Sequence, residues 1–132
     1  MTIDTSHNAF RGPVTRFFSL KRMICRVCGG SYPPHYPDDA LLWGWGKIEP
    51  DPDIYYVGNT YSRDKQTGLF IFLDFNIDAQ TIPPESCALI ARDLAPFVPR
   101  LEELDGGFDE ICQRFIDGCQ QAADAGESLE FD

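Results

Sequence analysis

Phe17, Leu20, Ile24 and Val27 recur at spacings of three, four and three, with Thr15, Ser19, Arg22 and Arg26 on the opposite side. That pattern is the apolar stripe of an amphipathic helix. Gly12-Pro13 offers an N-cap followed by proline at the first helical position, and Gly29-Gly30 offers a stop. The competing reading of residues 13–28 is a strand, because Phe17-Phe18 and Ile24 to Val27 tolerate β structure. A second stripe is cleaner. Phe108, Ile111, Cys112, Phe115, Cys119 and Ala122 repeat at helical spacing, while Asp109, Glu110, Gln113, Arg114, Asp117 and Gln120 take the other face. This predicts a long helix packed on a sheet. Before it, Pro83-Pro84-Glu85 opens a helix that Cys87, Leu89-Ile90 and Leu94 continue. Pro96 and Pro99 interrupt it, a short piece from Pro99 to Leu104 follows, and Asp105-Gly106-Gly107 ends it.

The middle of the chain changes period. Ile54 to Tyr61 is rich in β-branched and aromatic residues, and Leu69 to Ile77 is the most apolar run. The polar segment Ser62 to Gly68 lies between them, so the three pieces predict a β-hairpin. Leu41 to Ile48 predicts a strand before it, with Leu41, Trp43 and Trp45 on one face and Gly44 and Gly46 on the other. Glu49 to Asp53 forms the turn between strands. Ser31 to Asp39 carries three prolines and is a loop. The expected fold is a single α+β domain over residues 1–132. It has an N-terminal helix, a three-stranded antiparallel sheet and C-terminal helices on one sheet face. A strand at residues 13–28 would make the sheet four-stranded. Residues 1–11 and 126–132 are expected to be loose ends.

Composition narrows the function classes. The 132 residues carry a net charge of −10, against nucleic-acid binding and against docking on anionic lipid. The imbalance is uneven: residues 1–36 hold five basic residues and one acid, whereas residues 37–132 hold six basic residues and twenty acids. Either the halves complement each other or the acidic surface meets a basic partner. No run is long enough for a transmembrane helix, and the first ten residues lack the pattern of a secretory signal. Five cysteines is an odd count at low density, which points to free thiols and a cytoplasmic setting.

Four arrangements could carry chemistry. Cys25 and Cys28 form a C-x-x-C before glycine, which resembles one knuckle of a zinc site, with His35 as a third ligand. The same pair could be redox-active or simply two half-buried thiols. It falls at the C-terminal end of the expected helix, the wrong end for lowering a thiol pKa. His35 and Asp74 are the candidates for acid–base work. Asp74 stands inside the apolar third strand, either as a perturbed base or as the solvent-facing member of that strand. No serine-hydrolase elbow, zinc-protease or nucleotide-loop motif occurs, so no catalytic residue and no cofactor are assigned. The fourth arrangement is a surface. Trp43, Trp45, Tyr55 and Tyr61 stand among Asp38, Asp39, Glu49, Asp51 and Asp53. Aromatic anchors ringed by carboxylates suit a basic protein partner, unless both indoles belong to the core.

In size, acidity, cytoplasmic character and lack of a catalytic motif, the chain resembles the immunity proteins of bacterial polymorphic toxin systems. The likeness is one of class, and no residue carries over from it. It implies a non-enzymatic inhibitor that occludes a basic toxin or nuclease. The alternatives are a small zinc-binding or adaptor domain using Cys25 and Cys28, and an enzyme with a pocket near Asp74 or His35.

Overall fold

A computed structural model describes residues 2–28, 61, 64–77 and 80–132. Val14–Val27 form helix α1, as the first stripe predicts, which decides residues 14–27 against the strand. Phe17, Leu20, Ile24 and Val27 are all buried. Its N-cap is Pro13, one residue later than the expected Gly12. Gly12 has φ 154 and belongs to strand β2 (Arg11–Pro13), opposite Ile3 of strand β1 (Thr2–Asp4). Proline in an extended conformation ends that strand and begins the helix.

The largest departure from expectation is at the apolar run. Thr67–Asp74 form helix α2 where the third strand was expected, so the second arm of the expected hairpin is a helix. Gly68, Leu69, Phe70, Phe72 and Leu73 are buried. A run that is apolar on every side satisfies a buried helix as well as a buried strand. Two details favour the helix. The Gly68 N–H donates to Asp93 Oδ2 at 2.7 Å, giving the first turn an anionic acceptor from the next helix. Gly68 also lies against the Leu89 backbone, where a Cβ would collide with the carbonyl. Only glycine lets the two helices approach so closely.

Pro84–Leu94 form helix α3, with Pro83 as N-cap and Glu85 in the first turn, as predicted. A 3-10 turn (Ala95–Phe97) and helix α4 (Val98–Glu102) follow. Pro96 and Pro99 stand in the first turns of these pieces, where a missing N–H is harmless. Gly107, at φ 71, is the N-cap of helix α5 (Phe108–Ala125), and Gly126, at φ 67, closes it. Phe108, Cys112, Phe115, Cys119 and Ala122 are buried along α5, as its stripe predicts. The helix packs on α3 and α4, where a sheet was expected.

No three- or four-stranded sheet occurs among the described residues; two short antiparallel pairs do. One is β1 with β2, and the other is strand β3 (Thr81–Ile82) with strand β4 (Leu129–Glu130). The coarser expectation holds, since helices and antiparallel strands share the chain. The expected strand Leu41–Ile48 and the first hairpin arm up to Thr60 lie outside the described residues. The chain ends, expected to be loose, contain paired backbone: Thr5 bridges Phe131, and the Asp132 N–H donates to the Asp4 carbonyl at 3.0 Å. Phe131 is buried, and this apolar anchor fixes the C-terminal end.

Phe17 marks the centre of the core. Its ring meets Phe10, Phe72, Phe115 and Phe131 edge-on, with centroids 5.2 to 5.7 Å apart. One side chain thereby joins the N-terminal segment, α2, α5 and the C-terminal segment. Each such aromatic pair adds about 1 kcal/mol beyond area burial.

Candidate functional site

The segment Thr5–Phe10 shapes one side of the site. The Phe10 N–H donates to Thr5 Oγ1 at 2.9 Å, closing a tight loop. Within it His7 and Asn8 both have positive φ, 54 and 57. Such conformations cost about 1–3 kcal/mol each and persist only where the surroundings hold them. Here the surroundings are α5 and the residues just after it. Ala9 is seated against Gly118, where a Cβ would clash with it. Arg114 donates from Nε to the Asn8 carbonyl at 2.8 Å and from Nη2 to Asn8 Oδ1 at 2.6 Å. His7 Nε2 approaches Glu127 Oε1 at 3.4 Å.

Between this loop and the polar flank of α5 runs an open groove of about 570 Å³, into which Val98 also reaches. Asp109, Glu110 and Asp117 line it, and Arg114 stands among them. Arg114 is already engaged by Asn8, which takes two of its N–H donors. Gln113 Nε2 donates to Asp117 Oδ1 at 2.9 Å and holds that carboxylate along the helix. The polar face of α5 was legible in the sequence; its juxtaposition with His7 and Asn8 was not, because more than 100 residues separate the two segments.

The sequence-derived binding residues are placed only in part. Asp38, Asp39, Trp43, Trp45, Glu49, Asp51, Asp53 and Tyr55 lie outside the described residues, as does His35. Tyr61 is half-buried, its ring 5.7 Å from that of Phe97 and its hydroxyl accepting a hydrogen bond from Arg100 at 3.3 Å. Cys25 lies inside α1 and Cys28 is its C-cap; both are buried thiols outside any disulfide. Burial pushes the Cys28 thiol up to about 12, against the opposing pull of Arg100. That setting disfavours the thiolate a metal needs. Among the described residues, no group of three or more His, Cys, Asp or Glu could hold a metal ion. Asp74 is exposed, at the end of helix α2, where a strand was expected.

One residue escaped sequence reasoning altogether. Lys21 is fully buried, its Nζ donating to the Phe75 carbonyl at 2.6 Å. Phe17, Phe18, Phe72 and Phe75 surround the ammonium at 5.4 to 5.8 Å. Burial lowers its pKa to about 8, with the charges of Asp74 and Cys25 acting in the opposite sense. The signal was present in the sequence, because Lys21 lies four residues from both Phe17 and Cys25 and so falls on the apolar stripe.

No protein-family model matches the chain, and it matches no curated protein and no solved structure. Among the described residues no helix is long and apolar enough to cross a membrane.

Proposed function

We propose that the protein is a small acidic binding protein that inhibits a basic partner by occlusion, as immunity proteins do. The observation that carries this reading is the groove beside α5, where Asp109, Glu110 and Asp117 line an open concavity. A net charge of −10 accelerates encounter with a cationic surface, and the groove then accepts its Lys or Arg side chains. A nuclease or other phosphate-binding protein blocked in this way loses the cations with which it meets its substrate.

The test is capture of a basic protein from extracts of the source cell on the immobilised full chain. Reversal of the groove charges by Asp109→Lys, Glu110→Lys and Asp117→Lys together is expected to abolish capture, and capture that survives this variant rejects the groove. If only reversal at Asp38, Asp39, Asp51 and Asp53 abolishes capture, the partner meets the aromatic and acidic segment instead.

A further inference from the structure

A second concavity, of opposite sign, lies at the start of α1. Arg11, Arg16 and Arg114 line a space of about 240 Å³ over Phe10, Gly12 and Ile111. They come from β2, the first turn of α1 and the middle of α5. Among the described residues no carboxylate joins the lining, although acids outnumber basic residues 21 to 11 in the chain. Three guanidinium groups brought together repel one another, and an anion between them relieves that repulsion.

Two of the three are held in place. Arg16 donates to the Gly106 carbonyl and rests over the Phe108 ring, 4.7 Å from its centroid. Arg114 is fixed by Asn8. A guanidinium has five N–H donors, so both keep donors beyond these contacts. Arg11 is exposed, and its side chain makes no hydrogen bond or ion pair among the described residues. Asp4 is its cross-strand partner in the register, yet no ion pair joins them. The backbone adds to the positive field. Pro13, the N-cap of α1, is part of the lining; no side chain caps the helix and its first turn holds no acid. The positive end of the helix dipole is therefore left without an anionic neighbour on α1.

We propose that this cavity binds a small organic anion, a carboxylate or phosphate monoester bearing a compact apolar group. The arginines take the charged end, and Phe10 and Ile111 take the apolar end. Arginine suits either head group, because its planar fork matches two oxygens at once. The site is distinct from the acidic groove and shares only Arg114 with it.

The experiment is calorimetric titration of the full chain at about 0.15 M salt, where loose surface attraction is screened. The probes are phenyl phosphate, benzoate, inorganic phosphate and phenol. Phenyl phosphate or benzoate is expected to bind, whichever is tighter naming the head group, with inorganic phosphate weaker and phenol silent. Arg11→Gln, at an exposed position, is expected to weaken binding by about tenfold or more, the loss of one charge-assisted contact. Arg26→Gln, exposed at the far end of α1, is expected to leave it unchanged. The proposal is overturned if no probe binds, or if Arg11→Gln binds as well as the parent chain. Inorganic phosphate as tight as phenyl phosphate also overturns it, because the apolar wall would then contribute nothing.

Discussion

Lys21 Nζ donates to the carbonyl of Phe75 at 2.6 Å, tying the middle of α1 to the residue that ends α2. The bond satisfies a backbone acceptor released at the helix terminus, and it does so with a cation, which the negative end of a helix favours. The surrounding rings exclude water and make the charge costly.

That burden gives stability a definite pH dependence. The Lys21 pKa falls from 10.5 to about 8 on folding. Between those values the unfolded chain binds more protons than the folded one, so the Lys21 contribution to stability rises with pH. It is complete above 10.5 and lost as pH falls through about 8. Its full size is about 3 kcal/mol. The Cys28 and Cys112 thiols, both pushed up to about 12 by burial, oppose this gain at the alkaline end. The measurement is therefore a difference in urea stability between the parent chain and Lys21→Met at pH 8 and at pH 10.5. The parent chain should gain on the variant across this range; a flat difference would mean that the buried ammonium does not titrate with folding.

The contact of α2 with α3 tolerates no side chain at Gly68. A Cβ there meets the Leu89 carbonyl, which is rigid backbone rather than the tip of a flexible group. Gly68→Ala should destabilise the protein by about 3 kcal/mol, because overpacking outweighs the roughly 1 kcal/mol that alanine gains in helix propensity. Thermal unfolding decides the matter, and an unchanged or raised midpoint would show that α2 does not pack on Leu89.

Asp93 holds the first turn of α2 from outside. Its side chain is 8% exposed and accepts both the Gly68 N–H and the Arg92 guanidinium. Asp93→Ala should cost about 1–2 kcal/mol in urea unfolding. Asp93→Asn, which keeps an acceptor for the Gly68 N–H, should cost less than half as much.

Thiol chemistry offers a further check. All five cysteines are buried thiols outside any disulfide. A coloured disulfide reagent at neutral pH should find fewer than about one fast-reacting thiol in the folded chain. After denaturation it should find all five. Two fast thiols in the native protein, mapped to Cys25 and Cys28, would revive the metal or redox reading of that pair.

Much of the helical part was legible from order alone. The stripes of α1 and α5 have a 3.6-residue period, and the proline and glycine signals around α3 and α5 mark their ends within a residue or two. The period failed at Leu69 to Leu73. Apolar residues at every position erase the alternation that separates strand from helix, and Gly68 then reads as the end of a turn. What made it a helix was the backbone of Leu89 and the carboxylate of Asp93, more than twenty residues away. The acidic groove and the arginine cavity were hidden for the same reason, since each joins α5 to the first sixteen residues.

By itself, then, the order of residues determined which segments coil, where they stop, and that the molecule is strongly acidic. The tertiary structure alone decided that an apolar run coils too, that one lysine is sealed among phenylalanines, and which charges converge. The physical reason is range. Periodicity and capping act within a few residues, whereas burial and charge clustering are set by segments that meet only once the chain has folded.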